Sequence, residues 1–307
     1  MKREQIYREV YKEGAARLKD AGIREAELDA RLLLEFVCGT DQNTLLVHGD
    51  RKISDTAYEQ YSTLVEKRAG HEPLQHLTGE QEFMGLSFHV NRNVLVPRQD
   101  TEVLVEEVMK NLHDGMRILD LCTGSGCILL SLLRYSNDCE GVGTDLSSSA
   151  LAVARENYEK LRRDRPELSA CFLEGDLFGP LWHHSDEAER SGREARSREK
   201  FDIIVSNPPY IETDTISTLM PEVREYEPLM ALDGGADGLS FYRRISKEAG
   251  SFLYNGGMLF FEIGCNQADQ VREIMEKAGF CRIEVVKDFA GLDRVVYGIA
   301  VKCSSGR

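Results

Sequence analysis

Four consecutive residues, Asn207-Pro208-Pro209-Tyr210, carry the most specific chemical signal in the sequence. They follow the apolar segment Phe201–Ser206, which is typical of a buried strand. The two prolines donate no hydrogen bonds and hold the backbone extended, so the Pro208 carbonyl and the Asn207 side-chain oxygen form two neighbouring acceptors. Tyr210 adds a flat ring beside them. The pattern therefore predicts a clamp that binds a planar NH₂ group and presents its nitrogen for reaction.

A clamp of this kind suits a nitrogen that is a poor nucleophile because its lone pair is conjugated with a π system. Accepting both protons fixes the plane of the group and favours rehybridisation of the nitrogen. Such positioning contributes on the order of 7–11 kcal/mol of barrier in the best intramolecular cases. The nitrogen becomes acidic only as it acquires a new substituent, so we predict no catalytic histidine or carboxylate.

A second chemical signal is the glycine turn in residues 118–126, ILDLCTGSG. Gly124 and Gly126 follow an apolar strand and open a helix, an arrangement that allows the backbone to approach a ligand closely. Asp145 ends the next predicted strand, 19 residues after Gly126, and is well placed to accept hydrogen bonds from a ribose diol. Together these residues predict a nucleoside-containing cofactor at the carboxyl ends of the strands.

Two cofactors compete for this turn. A dinucleotide site requires a third small residue, but Leu129 stands three residues after Gly126. Asp120 also suits a cationic ligand better than a pyrophosphate, and S-adenosylmethionine carries a sulfonium and an ammonium group. The residues favour S-adenosylmethionine over NAD. Asp176 and Leu177, after the next strand, are candidates to bind the adenine amino group and cover the ring, although Asp176 alone fits a turn or cap equally well.

Alternating strands and helices after Met116 must position these residues. Such alternation predicts crossover units and a mostly parallel sheet with helices on both faces. The predicted strands are 117–121, 140–145, 170–173, 201–206, 257–263, 283–286 and 294–301, and the predicted helices are 127–134, 147–161, 237–253 and 266–278.

The N-terminal residues 1–72 have apolar positions at helical spacing, with Gly39 predicted to end one helix and Ser54 to cap another. Both a packing role and a substrate-docking role fit this module. Residues 73–100 contain two alternating segments around Met84-Gly85, which indicate a β-hairpin connector. Residues 183–200, with five acidic and five basic side chains and almost no apolar ones, are predicted to form a flexible surface insertion.

Composition and charge argue against nucleic-acid-binding, membrane-bound and metal-binding classes of protein. The 307 residues include 38 Lys+Arg and 52 Asp+Glu, a formal charge of −14, and residues 1–72 are also acidic, with 12 basic against 14 acidic side chains. Extended nucleic-acid binding is therefore disfavoured, because phosphate contacts require a basic surface. Absence of a long apolar segment or signal peptide predicts a cytoplasmic protein that binds no membrane. The eight cysteines form no CxxC pair, so no metal site is expected.

Taken together, these segments resemble the release factor glutamine methyltransferases, the HemK/PrmC family. The resemblance extends over nearly the whole chain, including DLCTGSGCI, GDLF, SNPPYI, VREYEPLMALDGGADGL, GGMLFFEIG and KDFAGLDRVVYG. The Asn-Pro-Pro-Tyr tetrapeptide is shared with methyltransferases that act on exocyclic amines of bases. The connector over 73–102 and VREYEPLMAL are much more specific to this family.

The resemblance implies a Rossmann-like class I methyltransferase sheet over residues 101–307, with a small N-terminal helical domain joined by the β-hairpin connector. It also implies methyl transfer from S-adenosyl-L-methionine to the amide nitrogen (N5) of the glutamine in the Gly-Gly-Gln loop of peptide chain release factors, leaving S-adenosyl-L-homocysteine. By motif match, the expected cofactor residues are Cys122, Thr123, Gly124, Ser125, Gly126, Asp145, Leu177 and Asn207, in addition to Asp176. The residues expected to bind the target glutamine are Asn207, Pro208, Pro209 and Tyr210, and Arg98, Thr101 and Glu102 are expected to close the site.

Three positions depart from the family pattern. Gln99 stands where a proline is usual, Cys122 replaces a common glycine, and Leu177 replaces a frequent aromatic residue, which weakens adenine stacking at that position. Glutamine methylation of a ribosomal protein, methylation of a base amine and a cofactor-binding module without catalysis are the alternatives. The net negative charge of the chain argues against methylation of a base amine. The intact pair of acceptors at Asn207 and Pro208 argues against a cofactor-binding module without catalysis.

Overall fold

Amphipathic helices form the N-terminal unit of the computed structural model, which describes residues 5–184 and 196–301. The first five helices are α1 (Tyr7–Asp20), α2 (Ala26–Cys38), α3 (Gln42–Val47), α4 (Asp55–Ala69) and α5 (Leu74–Thr78). As predicted, α2 ends at Gly39, which has a left-handed backbone, and the Ser54 hydroxyl accepts a hydrogen bond from the Ala57 N–H to cap α4. Buried side chains from α1, α2 and α4 form the core of this unit, among them Leu18, Leu33, Leu34, Tyr61 and Val65.

A buried ion-pair network holds a distant piece of chain in the same unit. Within the described residues, the N-terminal unit extends to Glu80 and also contains Met220–Tyr226. Arg68, which is 5% exposed, donates hydrogen bonds to Asp29 and to Glu222, both at 2.7 Å. Because an unpaired buried charge is costly, these two carboxylates make Arg68 compatible with its burial.

The second unit begins at Gln81, within the β-hairpin indicated by the sequence. Strands β1 (Glu80–Phe83) and β2 (Leu86–His89) form a two-stranded sheet, and the turn residues Met84 and Gly85 both have positive φ. Positive φ at both positions is the geometry of the tight turns that hairpins prefer.

The remaining strands of the second unit lie mainly in one sheet. Their bounds are β3 (Arg117–Leu121), β4 (Glu140–Asp145), β5 (Ser169–Glu174), β6 (Trp182–His184), β7 (Arg196–Arg198), β8 (Phe201–Ser206), β9 (Leu253–Glu262), β10 (Phe280–Lys287) and β11 (Asp293–Ala300). The helices are α6 (Glu102–Met109), α7 (Cys127–Tyr135), α8 (Ser148–Arg162), α9 (Pro221–Tyr226, part of the N-terminal unit), α10 (Leu229–Leu232), α11 (Ser240–Ala249) and α12 (Ala268–Lys277).

Across the described residues, the main sheet has seven strands in the order β10-β11-β9-β8-β3-β4-β5. Strands β9, β8, β3, β4 and β5 are parallel to one another, whereas β11 is antiparallel to both of its neighbours. The predicted mostly parallel α/β sheet is confirmed. The chain passes from β3 through β4 to β5 on one side and later adds β8 on the other, so the strand order reverses beside β3.

Apolar side chains of the sheet alternate between two cores, since successive residues of a strand point to opposite faces. Ile203 packs with residues of α6, α7 and α8, while Ile204 packs with residues of α11 and α12. The helices therefore cover both faces of the sheet, as the alternation of strands and helices predicted.

Two sequence expectations differ in detail from the structure. The predicted helix over 237–253 is shorter, Ser240–Ala249, and Leu253 instead begins β9 beside Phe201. Adjacent apolar helix and strand segments cannot be separated by periodicity alone. At the predicted insertion over 183–200, β6 and β7 pair antiparallel through Trp182 and Arg198, and residues 185–195 lie outside the described residues.

Candidate active site

The carboxyl ends of three central strands meet at the point where the strand order reverses. Leu121 of β3 pairs in register with Thr144 of β4 and with Ser206 of β8. The Ser206 hydroxyl donates a 2.7 Å hydrogen bond to the Leu121 carbonyl. Ligands of open α/β sheets bind at such a switch point. The glycine turn, Asp145 and Asn207 each follow one of these three strand ends and therefore lie together.

A cavity of about 390 Å³ opens at this point. This volume is within the range of small-molecule binding sites, about 300–1,000 Å³. Its lining includes most of the residues expected from the sequence: Arg98, Thr101, Cys122, Thr123, Gly124, Ser125, Asp145, Asp176, Leu177, Asn207 and Pro209. Four other expected residues lie outside that lining, namely Glu102, Gly126, Pro208 and Tyr210.

The two glycines of the turn serve different purposes. Gly124 lines the cavity, and a Cβ atom on it would meet no atom within 4 Å, so its backbone is open to a ligand. Gly126 begins α7, and a Cβ there would lie 3.2 Å from Leu130 and 3.3 Å from Ala154. Gly126 therefore permits helix packing beneath the site. Both have positive φ, and so does Cys122, which occupies a conformation that glycine adopts more easily.

Asp120 supports the turn from below. Its side chain is fully buried and accepts a 2.6 Å hydrogen bond from the Thr123 hydroxyl, and its Oδ1 atom has no hydrogen-bond partner within the described part of the chain. Burial raises the pKa of this carboxyl to about 7, although the Thr123 hydrogen bond acts in the opposite direction. The sequence suggested that Asp120 favours a cationic ligand. The structure places it behind the cavity wall, where it acts on the site through Thr123.

Asp145 has both carboxylate oxygens engaged by the backbone. Oδ2 accepts from the Gly124 N–H and Oδ1 accepts from the Ser147 N–H, both at 2.9 Å. Burial raises its pKa, while these backbone hydrogen bonds lower it. A carboxylate held in this way keeps further lone pairs for a pair of vicinal hydroxyl groups.

The cavity lining also contains an aromatic residue that was not predicted from the sequence. Phe241 of α11 lines the cavity together with Asp176 and Leu177. Arg244, also from α11, donates a 2.6 Å hydrogen bond to Asp176, and its guanidinium carbon lies 5.8 Å from the centre of the Phe241 ring. Leu177 has no aromatic ring, so the Phe241 ring supplies the aromatic surface in this part of the cavity lining. Its signal in the sequence was weak, because Phe241 is one of several apolar residues in a helix.

The tetrapeptide 207–210 is held by side chains from other elements. Asn207 donates its side-chain N–H to the Thr101 hydroxyl at 3.4 Å, and Tyr210 donates its hydroxyl to Glu262 Oε1 at 3.3 Å. Gln267 donates to the Tyr210 backbone carbonyl at 3.0 Å. Burial raises the pKa of the Tyr210 phenol above its usual value, so this hydroxyl remains protonated and acts as a donor.

The residues expected to close the site have distinct partners. Arg98 donates a 2.6 Å hydrogen bond to Glu227, which precedes the cavity-lining residues Pro228, Met230 and Ala231. Glu102 instead accepts a hydrogen bond from the Met84 N–H in the hairpin turn, at 2.6 Å. Arg98 thus links the connector to a wall of the cavity, and Glu102 links the hairpin to α6.

Glu262 is a second residue that the sequence reasoning did not select. It ends β9 and is 2% exposed. Burial raises the pKa of its carboxyl to about 7, opposed by the hydroxyls of Thr101 and Tyr210 and the charge of Arg294. The sequence contained one sign of its importance: Glu262 is the single charged residue in the apolar segment GGMLFFEIG.

Neither a metal-ligand cluster nor a membrane-spanning helix occurs in the described residues. Within 5–184 and 196–301, no group of three or more His, Cys, Asp or Glu side chains is arranged to hold a metal ion. None of the helices in these ranges has the length and apolar character needed to cross a membrane.

Similarity to known families covers most of the chain. A family model described as PrmC N-terminal domain matches residues 9–79, and one described as Methyltransferase small domain matches residues 98–222. The chain is 40% identical over 274 residues to the release factor glutamine methyltransferase of Clostridium acetobutylicum, covering 88% of this chain and 90% of that protein. It is 41% identical over 285 residues to that of Caulobacter vibrioides, covering 92% of each.

Among solved structures, the protein-(glutamine-N5) methyltransferase (release factor-specific) from Alicyclobacillus acidocaldarius is 30% identical, with a TM-score of 0.38. The match covers 70% of this chain and 99% of that one.

Proposed function

The chain belongs to the release factor glutamine methyltransferase family, and from that premise we propose that it methylates the glutamine side-chain amide nitrogen in the Gly-Gly-Gln motif of peptide chain release factors. The proposed methyl donor is S-adenosyl-L-methionine. Because release factors act in translation, we propose that the enzyme works in the cytoplasm.

The cavity residues fit this donor. The open backbone at Gly124 leaves room for a ligand against the turn, and the Asp145 carboxylate suits a ribose diol. Phe241 and Leu177 offer apolar surfaces for a planar base. When bound, the donor supplies an electrophilic methyl carbon on a sulfonium centre. Cys122, Thr123 and Ser125 complete the proposed cofactor wall, together with Asp176, whereas Gly126 contributes through the packing of α7.

The acceptor half of the proposed site is the segment after β8. Asn207 and Pro209 line the same cavity as the glycine turn. We propose that the Asn207 side-chain oxygen and the Pro208 carbonyl accept the two protons of the substrate NH₂ group, and that the Tyr210 ring flanks its plane. Holding the amide plane fixed directs the nitrogen lone pair toward the donor and lowers the cost of rehybridisation. Asn207 thus contacts both reactants.

Proton removal requires no strong base in this scheme. The amide nitrogen becomes acidic while its bond to the methyl carbon forms, so one of its protons is released to solvent without the help of a strong base. The Asn207 oxygen and the Pro208 carbonyl accept hydrogen bonds from the N–H groups and orient them, but as neutral amide oxygens they do not keep the proton. Tyr210 retains its own proton, because burial raises the pKa of its phenol.

One observation carries the proposal: the alignment of Leu121, Thr144 and Ser206 brings the glycine turn, Asp145 and Asn207 to one end of the sheet. Since Asn207 and Pro209 line the same cavity as the proposed cofactor residues, a donor and a planar amide can meet there without rearrangement of the strands.

The test is a methylation assay with radiolabelled S-adenosyl-L-methionine, purified release factor and mass-spectrometric location of the added methyl group. We expect label on the glutamine of the Gly-Gly-Gln motif and none on a release factor in which that glutamine is replaced by alanine. Ribosomal protein and DNA serve as parallel substrates. Preferential labelling of either one would contradict the proposal.

A further inference from the structure

A buried carboxylate stands behind the proposed clamp. Glu262 follows Phe261, which pairs in register with Ser206, so the carboxyl end of β9 lies beside the start of the tetrapeptide 207–210. The Tyr210 hydroxyl donates to its Oε1 atom, and its Oε2 atom is buried with no hydrogen-bond partner among residues 5–184 and 196–301. Burying a carboxylate with so few partners is costly, so the position calls for an explanation other than stability.

Thr101 connects this carboxylate to Asn207. Thr101 is 3% exposed, and its hydroxyl is close enough to Glu262 to lower the pKa of that carboxyl, as a donor to it would. The same hydroxyl accepts from the Asn207 side-chain nitrogen. Three polar groups therefore follow one another from the strand end of β9 to the clamp.

The direction of hydrogen bonding in this series is determined by the carboxylate. An ionised carboxylate only accepts, and a hydroxyl has a single proton to donate. With that proton directed to Glu262, the lone pairs of Thr101 face Asn207. The amide of Asn207 is then held with its nitrogen toward Thr101, which leaves its oxygen as the group presented to the substrate.

We propose that Glu262 is a positioning residue that fixes the amide orientation of Asn207 through Thr101 and the phenol of Tyr210 directly, so that the clamp presents acceptors to the substrate NH₂ group. This inference rests on the proposed function, because the group being presented is a carboxamide. If the Thr101 hydroxyl instead donated its proton to Asn207, the Asn207 amide could turn its own NH₂ group toward the substrate NH₂ group. Two donors would then face each other.

The matched variants are Glu262→Gln, which has the same shape but can donate, Thr101→Val, which lacks the hydroxyl, and Thr101→Ser, which retains it. Tyr242→Phe is the control, because the Tyr242 hydroxyl donates to the backbone carbonyl of Glu262 at 3.0 Å and not to its carboxylate. Each variant is assayed for kcat on release factor, for binding of S-adenosyl-L-homocysteine by calorimetry and for thermal unfolding.

We expect Glu262→Gln and Thr101→Val to lower kcat by about 10- to 100-fold, the effect of losing one or two charge-linked hydrogen bonds. Binding of S-adenosyl-L-homocysteine should change less than about threefold. Thr101→Ser, which retains the hydroxyl, should recover most of the kcat that Thr101→Val loses, and Tyr242→Phe should keep kcat within about threefold of wild type. Because both residues act through one series of contacts, the double variant Glu262→Gln/Thr101→Val should be no slower than the slower single variant.

A Glu262→Gln protein that folds and has the wild-type kcat would overturn the inference. If Glu262→Gln does not fold, the comparison of Thr101→Val with Thr101→Ser decides, and equal kcat values for these two would also overturn it. Wild-type protein assayed beside the variants separates the two proposals. A wild type that does not methylate release factor contradicts the proposed function itself.

Discussion

The backbone N–H of Gly124 donates a 2.9 Å hydrogen bond to Oδ2 of Asp145, joining the turn after β3 to the end of β4. One carboxylate thereby fixes the shape of the loop on which the proposed cofactor rests and offers its remaining lone pairs to the same ligand. The glycine turn and the acidic residue that follows the next strand are therefore one structural device. Changes on either side of it should affect cofactor binding before they affect the fold.

Alanine substitutions at the two turn glycines should have different consequences. Gly124→Ala places a Cβ in the open cavity, so we expect it to weaken binding of S-adenosyl-L-homocysteine by at least about tenfold with a loss of about 1 kcal/mol of stability from the positive φ. Gly126→Ala adds close contacts with Leu130 and Ala154 to the same strain, and we expect it to lower the melting temperature more. Calorimetric binding and thermal unfolding distinguish the two. Equal losses of affinity and stability in both variants would contradict this division.

Phe241→Ala should weaken cofactor binding by about tenfold, because an aromatic surface contributes about 0.5–1.5 kcal/mol beyond the area it buries. Phe241→Tyr retains the ring and serves as the control, with affinity close to wild type. The measurement is the dissociation constant of S-adenosyl-L-homocysteine. Unchanged affinity in Phe241→Ala would show that the base binds elsewhere.

Asn207→Ala should reduce turnover by about 10³-fold, comparable to the loss of a transition-state hydrogen-bonding group, while cofactor binding stays largely intact. Asn137→Ala, a substitution at an exposed asparagine in the same unit, is the matched control and should behave as wild type. Single-turnover methylation of release factor gives the rate. A rate near that of wild type would refute the role of the clamp.

Tyr210→Phe tests whether the ring or the hydroxyl of this residue matters. The variant loses the hydrogen bond to Glu262 but keeps the planar surface, so we expect kcat to fall by about tenfold. Tyr210→Ala removes both, and its kcat should be lower still. If the two variants had the same kcat, the ring would contribute nothing.

Turnover should depend on the ionisation of Glu262, whose pKa burial raises to about 7. Above that pH the carboxylate is charged and only accepts, whereas below it the protonated group can donate and Thr101 can reverse. We therefore expect kcat to fall as the pH decreases through about 7 and expect Glu262→Gln to lack this step. Arg294 and Asp100 also act on this carboxyl, with opposite signs, so Arg294→Met should move the step to higher pH. A wild-type profile that is flat from about pH 6 to 8 would contradict this prediction.

Stability should vary with pH in the opposite direction. Burial is the main cause that raises the folded-state pKa values of Asp120 and Glu262 to about 7. Carboxyl groups in an unfolded chain have pKa values of about 4. A raised pKa means that the neutral group stabilises the fold at low pH and that this contribution is lost as the pH rises from about 4 to 7. Contributions from these two residues to the free energy of unfolding should therefore be smaller at about pH 8 than at about pH 5.5. The free energy of unfolding of Asp120→Asn, Glu262→Gln and wild type is measured at both pH values. Because each variant lacks one of these carboxyls, its free energy of unfolding should decrease less between the lower and the higher pH than that of wild type.

Local chemistry determined much of this protein from its sequence. Strands Glu140–Asp145 and Phe201–Ser206 were predicted with their observed bounds, because each is a short segment enclosed by turn or helix-capping residues. Gly39 ends a helix, Ser54 caps another, and Met84-Gly85 forms the hairpin turn. Each depends only on the backbone of the same or adjacent residues, so the sequence alone was enough to predict it. Parallel strands followed by a glycine turn and by Asn-Pro-Pro-Tyr also predicted that these segments would lie at one end of the sheet, and the structure places Gly124 and Asn207 in one cavity there.

Only the tertiary structure decided which side chains support that site. Glu262 reaches Tyr210 across 52 positions of the chain, and Arg244 reaches Asp176 across 68. Such contacts depend on the order of strands in the sheet, and no local pattern encodes that order. The sequence therefore could not show that a carboxylate from β9 lies behind the clamp.

Burial is the other property that only the folded chain determines. Asp120 and Glu262 are ordinary acidic residues in the sequence, and their pKa values rise because the sheet and its helices exclude water from them. Residue types and spacing thus predicted the strands, the turns and the kind of chemistry. The packing of distant elements determined the electrostatics under which that chemistry operates.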